Sequence, residues 1–415
     1  MAGIATGVFK KMYLKRQAGL GAVAPAGPAG SAKSVRRVTS TLDKTKAAYQ
    51  SAEVLESQQV RDSRHGVVSV GGTLSGELSV GTYQQPFESI LRQAAQANVS
   101  SGSLATVTAS SSGPYTGTFT RSAGSWITDG FKVGDIVNST GWTAPGVANN
   151  DQYMLITSLT AAVMTLFVLD KSAIVAKAAG DNVTVVTVGK KIWVPGSGQT
   201  RDYYTIEHWF SDIGVDEVFT DCVFTGATIA LPPTGMATVE LPIMGLDMIP
   251  GVAQYFTAPA GASGGGILAA VNGAMIVDGA VVGLVTGITI TIAGGYAYPA
   301  GDGLVGTNIR PDVLPGVLTV TGQMTVLFSD ATYRDMFLQE REVAVAVALT
   351  ADNSPKPGFT SFVMSRVKYS GASKDDTPTG LTLTMPFQAL EQVNNGGVNT
   401  PNLATTISIQ DSAYA

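Results

Sequence analysis

Residues 64–87 read RHGVVSVGGTLSGELSVGTYQQPF, and this stretch decides the fold. Apolar and small polar residues alternate over 67–79, which is the two-residue period of a strand with one buried face. Apolar side chains at helical spacing follow over 82–97, namely Tyr83, Phe87, Ile90, Leu91 and Ala94. Pro86 would lie in the first turn of that helix, where its missing N–H costs least. The sequence therefore predicts a strand that runs directly into a short helix.

The same pattern recurs 250 residues later, where 312–337 read DVLPGVLTVTGQMTVLFSDATYRDMF. Nine of the 26 positions in 62–87 carry the identical residue there, including Gly72/Gly322 and Phe87/Phe337. Residues 316–328 alternate like a strand, and Ser329 is expected to cap the helix that follows. The repeat predicts two related β-rich domains, each with one short helix.

A second pair of similar segments follows in the same order, at an offset of 145 residues. FTGATIALPPTG (224–235) matches YSGASKDDTPTG (369–380), and each is expected to be two strands joined across a Pro-Thr-Gly turn. Shared β composition with a chance offset is the alternative explanation. The common order of both pairs favours a duplication.

The drop in offset leaves about 105 extra residues in the first half, and residues 101–190 account for them. Short strands alternate there with Gly, Asp and Asn turns, which is typical of a small β-sandwich or barrel. Its expected core residues are Trp126, Phe131, Ile136, Tyr153, Leu155, Val163, Leu166 and Val168.

Composition excludes several classes of protein. The 415 residues suffice for two or three domains, and only 14% are charged, which argues against coiled coils and basic nucleic-acid binders. The single Cys222 excludes an intrachain disulfide or thiolate zinc cluster, and His65 and His208 are the only histidines. Charge is uneven, because residues 1–46 hold nine basic side chains and one acidic one, whereas the remainder holds 17 basic and 30 acidic ones.

Neither membrane insertion nor catalysis is indicated. Residues 279–301 are uncharged, but the Ile/Thr alternation over 288–293 and five glycines favour two strands over a membrane helix. Residues 21–32 lack the apolar run of a secretory signal. No P-loop, nucleophile-elbow, zinc or calcium motif occurs. We therefore expect no enzyme activity, no catalytic, cofactor-binding or metal-binding residues and no cofactor, with His65, His208 and Cys222 in structural roles.

The segment 64–87, with KAAYQSAEVLESQQVRD before it, resembles the opening of the major tail tube proteins of long-tailed (siphovirus-type) bacteriophages. TIEHWFSDIGVDEVFTDCVFTGATIALPPTGMATVELPIMG (205–245) and PDVLPGVLTVTGQMTVLFSD (311–330) are similar to two further segments of that family. The resemblance covers residues 33–100 and 190–390, and the module at 120–170 resembles a β insertion found in some members.

The resemblance implies a mainly-β fold of two tandem tail-tube sandwich or barrel domains, each with one short helix, an inserted small barrel-like domain and an extended N-terminal arm. The expected division is a basic arm (1–60), a discontinuous first tube domain (61–100 and 190–250), the insertion (101–189), a second tube domain (251–395) and a tail (396–415). The insertion is expected on the tube exterior.

The resemblance also implies a structural virion protein that polymerises as stacked rings into a DNA-conducting tube. Its partners would be further copies of itself, tail terminator, tape measure and tail tip proteins, and DNA in transit. Assembly would occur in the host cytoplasm, without membrane insertion. The duplication favours a three-chain ring with pseudo-sixfold symmetry over a ring of six chains. The alternative interpretations are a bacterial surface or adhesin-type β protein, a secretion-system tube and a tail hub protein.

Overall fold

The computed structural model describes residues 3–28, 30–54, 56–299, 305–375 and 380–414. Strands hold 45% of the residues and helices 6%, which confirms the predicted mainly-β class. Among the described residues, none of the helices has the length and hydropathy of a membrane span. The uncharged stretch near residue 290 forms strands, as its alternation predicts.

An N-terminal unit opens the chain with five strands and a helix: β1 Lys10–Arg16, β2 Lys33–Ser34, β3 Thr39–Ser40, β4 Asp43–Gln50, β5 Ser63–Glu77 and α1 Gln84–Leu91. Part of the expected N-terminal arm pairs within its own chain, since β1 runs antiparallel to residues 204–210 and buries Met12 and Leu14. The first helix is shorter than predicted, because Arg92 adopts a left-handed φ of 59° and ends it. Ala94 lies beyond this end and is exposed.

The insert comprises seven strands: β6 Ser100–Leu104, β7 Val107–Ser111, β8 Thr116–Arg121, β9 Ile136–Thr140, β10 Tyr153–Leu159, β11 Val163–Val168 and β12 Val183–Thr187. They form a separate antiparallel sheet in the order β6-β12-β9-β10-β11-β8-β7, with a 3₁₀ helix at Gly146–Asp151. Trp126, Phe131 and Leu166 are fully buried in its core.

The chain then returns to the N-terminal unit through β13 Lys190–Trp193, β14 Tyr204–Phe210, β15 Val215–Phe224, β16 Gly226–Leu231, β17 Thr238–Gly245 and β18 Asp247–Gly251. β14 pairs with β1 and β15, and β15 also pairs with β17 and β18. β15 therefore links two packed sheets within this unit.

A C-terminal unit follows: a 3₁₀ helix Ala270–Asn272, β19 Ala274–Val277, β20 Ala280–Val281, β21 Val285–Ala293, β22 Thr319–Leu327, α2 Thr332–Leu338, β23 Val343–Thr350, β24 Phe359–Tyr369, β25 Ser373–Lys374, β26 Thr382–Ala389 and β27 Ser408–Asp411. Ser329 is not the cap of α2, because Ala331 holds the N-cap position and Asp330 accepts a hydrogen bond from the Thr332 N–H at 2.8 Å. Residues 376–379, with most of the second Pro-Thr-Gly turn, lie outside the described residues.

One antiparallel sheet joins the two units, in the order β3/β4–β5–β17–β16–β21–β22–β26–β25, and we call it the junction sheet. Its centre is the pairing of β16 with β21, which places Thr228 opposite Thr291. The apolar side chains on one face of this sheet form the main core, among them Leu74, Ile229 and Ile290.

The two units repeat the same strand pairings in the same register. Ile206 lies opposite Phe219 in the N-terminal unit, and Val345 lies opposite Met364 in the C-terminal unit. A register shift precedes each of these pairs. Further matching pairs are Thr73/Pro242 with Gln323/Pro386, Thr228/Glu240 with Ser373/Thr384, and Val223/Met244 with Lys368/Gln388. The units are therefore structural repeats, with β16 equivalent to β25.

The insert packs against the C-terminal unit on the side away from the junction sheet. Ile136 and Leu155 were expected in the insert's own core, but they cluster with Ile276, Ala348 and Phe359 of β19, β23 and β24. Alternation explains the difference, because neighbouring residues of one strand face opposite sides. Gln410 of β27 donates to the carbonyls of residues 136 and 188 at 2.9 and 2.7 Å, which fixes the docking.

Candidate functional site

The second face of the junction sheet is a broad polar surface, which we call the polar face. Its side chains alternate with the core residues along every strand. Threonines dominate it: Thr73, Thr228, Thr238, Thr289, Thr291, Thr319, Thr321, Thr325, Thr382 and Thr384. Most of them are half-buried or exposed in one chain, so this face is not part of the packed core.

Charge on the central part of the polar face has one sign. Asp43, Glu77 and Glu240 lie on it and are exposed. The lysines of the edge strands point away, because Lys44 meets Asp247 at 2.5 Å and Lys374 lies 4.1 Å from the Phe328 ring centroid on the core side. Lys46 alternates with Thr45 and so shares the side of Lys44. Residues 67–77 of β5 and the described strands from β17 to β25 place no lysine or arginine on the polar face, whereas Arg64, at the outer end of β5 opposite Tyr49, lies on it and pairs with Asp62 at 2.9 Å. The central part of the face therefore offers hydroxyls and carboxylates but no cation.

Helix α1 fills the junction between the two units. Phe87 is 1% exposed and makes an edge-to-face contact with Phe362 of β24, with ring centroids 6.3 Å apart. At the helix end, buried Arg92 donates to the carbonyls of Gly294 and Gly316 at 2.7 and 2.9 Å. Both glycines flank the connection between β21 and β22, so α1 fixes the C-terminal unit to the N-terminal one.

The junction sheet ends in two strands with one neighbour each. Within the described residues, β25 pairs with β26, and β3 and β4 pair with β5, and no further strand lies beside them. Side chains along both edges are exposed, including Asp43, Thr45, Ser373 and Lys374. An unpaired edge presents a row of backbone donors and acceptors to another strand.

The histidines and the cysteine occupy structural positions. His208 is fully buried, its Nε2 lies 2.9 Å from Ser40 Oγ, and burial lowers its pKa, so the ring is neutral. Cys222 is fully buried, and burial raises the pKa of its thiol. His65 is exposed near the outer end of β5.

The described part of the chain holds no group of three His, Cys, Asp or Glu side chains that could bind a metal. An apolar cleft of about 450 Å³ lies between the insert and the start of the C-terminal unit. Its lining includes Phe167, Leu231, Met275 and Leu349 and no carboxylate. It therefore lacks the acidic pair that a glycosidase needs.

Comparison with known families identifies the chain. The family described as phage tail tube protein matches residues 10–389. The chain belongs to the phage tail tube protein family. Among curated proteins, no match to it was found.

As a tail tube protein, the molecule is a structural virion component and not an enzyme. Its family implies assembly with further copies and with other tail components. The polar face and the two open edges are thus the features that bear on function. A threonine at every second position, as in TITI (289–292) and TLTM (382–385), is the sequence signal for the polar face. By itself the alternation over 288–293 predicts only strands, because it does not show that the threonines of neighbouring strands share one surface.

Proposed function

We propose that this tail tube protein forms rings of three chains, and that the rings stack into a tube that conducts DNA. Six equivalent β units would surround the channel of each ring. The polar face would line the channel, and the junction sheets of three chains would join into one closed barrel. Closure would leave no free strand edge in the ring.

The shared register of the two units carries the proposal. Because the β pairings of one unit recur in the other, each chain supplies two copies of one building unit. Closed rings of equivalent units are the usual form of homo-oligomers, and three chains then complete a pseudo-sixfold ring.

The charge of the polar face fits a conduit for a polyanion. Each lysine or arginine that neutralises a DNA phosphate releases counterions and adds to affinity. The central part of the polar face holds hydroxyls and the carboxylates Asp43, Glu77 and Glu240 and offers no such contact, and the one arginine at its outer end, Arg64, is paired with Asp62, so DNA would slide past it. This supports the polar face, rather than its opposite, as the channel wall.

The insert would lie on the outside of the tube. It covers the β19–β23–β24 layer, which the core separates from the junction sheet. A three-chain ring would then carry three inserts on its outer surface. Tail terminator, tape measure and tail tip proteins are the further partners that we propose, with assembly in the host cytoplasm.

Electron cryomicroscopy of the purified full chain tests the proposal. We expect tubes or rings with three chains per ring and the threonine face toward the lumen. A ring of six chains would contradict the stoichiometry. Particles that stay monomeric across concentration and salt would contradict the tube itself.

A further inference from the structure

We propose that β25 of one chain pairs antiparallel with the β3–β4 edge of the next chain, in the register that places Ser373 opposite Asp43. The partner is thus a second copy of this chain, and its strand edge is specified to the residue. This inference rests on the proposed ring.

The pairing of the two units within one chain supplies the register of the proposed contact. There β16 pairs with β21, and Thr228 lies opposite Thr291. Ser373 of β25 is the counterpart of Thr228, because each pairs with the equivalent residue of the next strand, Thr384 or Glu240. The repeat that relates the two units therefore assigns one side of the contact between chains.

The residue on the β3–β4 edge is assigned in the same way. Thr291 of β21 lies opposite Thr321 of β22, and Asp43 of β4 lies opposite Gly71 of β5. Gly71 and Thr321 are equivalent through the repeat of 250 residues. Asp43 is thus the counterpart of Thr291, so Asp43 and Ser373 would meet as Thr291 and Thr228 do. Two residues further along the same pair of edges, Thr41 would meet Asp375, as Thr289 meets Ala230.

The helices show that one side of this contact is uncovered in the single chain. Six residues of α1 are buried, whereas only Met336 of α2 is. Leu338, the last residue of α2, is 66% exposed. Since the C-terminal unit covers α1, a neighbouring N-terminal unit would cover α2.

The loops at the hairpin ends show the same asymmetry. From the β21–β22 connection, Arg310 donates to Ser69 Oγ at 2.6 Å, and the Asn308 carbonyl accepts from the Val68 N–H at 2.8 Å. In the described residues of the equivalent β4–β5 connection, Val54 is 99% exposed and Val60 is 64% exposed. In the ring it would lie on the C-terminal unit of the next chain.

Disulfide trapping in assembled tubes tests this register. The variant Asp43→Cys with Ser373→Cys places one thiol on each edge, and Cys222 is buried and stays out of the reaction. The internal pair Thr228→Cys with Thr291→Cys is the positive control, because it occupies the equivalent positions within one chain. The pair Asp43→Cys with Lys374→Cys is the negative control, since neighbouring residues of a strand face opposite sides.

We expect mild oxidation of Asp43→Cys/Ser373→Cys tubes to give a closed covalent species of three chains on non-reducing gels. Thr41→Cys with Asp375→Cys should give the same species, so the test does not depend on one variant folding. The Lys374 control should yield at least about tenfold less.

Tubes that form normally without either cross-link, while Thr228→Cys/Thr291→Cys does cross-link, would overturn the register and leave the tube function intact. A stronger cross-link from the Lys374 control would overturn it as well. A covalent ladder that closes at six chains would support the register and contradict the three-chain ring. If no tubes or rings form with the unmodified chain, the proposed function fails, and this inference fails with it.

Discussion

At the scale of single residues, the backbone geometry at position 189 requires a glycine. It has a φ of 63°, and a Cβ there would lie 1.9 Å from the Asp411 carbonyl oxygen. The residue joins the end of the insert to β13, which pairs with β27. The crowding is with backbone, so the neighbour cannot rotate away.

We expect Gly189→Ala to lower the free energy of unfolding by about 3 kcal/mol, from the left-handed φ and the overlap together. Gly198→Ala is the matched control, because Gly198 has a similar φ of 70° with no atom within 4 Å. It should cost only about 1 kcal/mol. Chemical denaturation of both variants measures the difference, and equal losses would contradict the argument from overlap.

Asp411 gives the stability a pH dependence. Burial raises its pKa from 3.8 to about 6, even though Thr360 Oγ1 and the N–H groups of Gly81 and Ala413 donate to it. The folded protein therefore binds this proton more tightly than the unfolded chain does. The resulting stabilisation is complete below about pH 4 and disappears as the pH rises to about 6 and above.

Asp411→Asn should remove this dependence. Between pH 3 and pH 7 the native protein should lose about 3 kcal/mol more stability than the variant, at about 1.4 kcal/mol for each pKa unit. Unfolding in urea at a series of pH values measures it. Parallel pH profiles for the two proteins would show that the carboxyl titrates normally.

At the scale of elements, the insert is held by few but well-placed contacts. Lys132 is 5% exposed, and its ammonium donates to the carbonyls of Gly397, Val398 and Thr400 at 2.6, 2.9 and 2.5 Å. Burial lowers the pKa of this lysine, yet three carbonyls solvate the charge. The ammonium therefore ties the insert to the segment before β27.

Lys132→Met should free that segment while the insert's own sheet stays folded. We expect amide exchange of residues 396–401 to accelerate about tenfold or more, as expected for the loss of hydrogen bonds to a charged donor. Lys177→Met is the control, because its ammonium bonds only within the insert, to Thr143 Oγ1 and the Ala144 carbonyl. The same acceleration in both variants would exclude the docking role of Lys132.

The elements also show what a sequence can predict. The strand before each helix and the duplication were accessible, because β alternation and turn glycines are local signals. The predicted start of α2 was wrong by two residues, since Asp330 rather than Ser329 bonds the first helical N–H group. The docking of Ile136 and Leu155 against the C-terminal unit could not be predicted from the sequence. An apolar residue gives the same sequence pattern whether it packs in the core of its own domain or in an interface with another.

At the scale of the whole molecule, the central part of the polar face is a surface without a cation. Thr321 lies near its middle, opposite Thr291 on one side and Gln388 on the other. In the proposed tube, every chain would present this residue to the passing DNA. A positive charge at this position should bind phosphate and slow passage.

We expect phage carrying Thr321→Lys to assemble tails of normal length but to lose infectivity by about tenfold or more, because each added cation strengthens DNA contact. Thr321→Gln is the neutral control of similar size and should leave the titre unchanged. Plaque titre with electron microscopy of the tails measures both. Equal titres for the two variants would argue against this face as the channel wall.

The late position of β27 has a consequence for biosynthesis. This strand pairs with β13 and β24, and Asp411 also bonds the turn before α1. All of these partners leave the ribosome earlier. The sheet that contains β13 and β24, and the surface on which the insert packs, therefore stay incomplete until translation reaches residue 411. A nascent or prematurely terminated chain would lack this strand. We expect such incomplete subunits to be degraded before they can be incorporated into a growing tail and block its assembly.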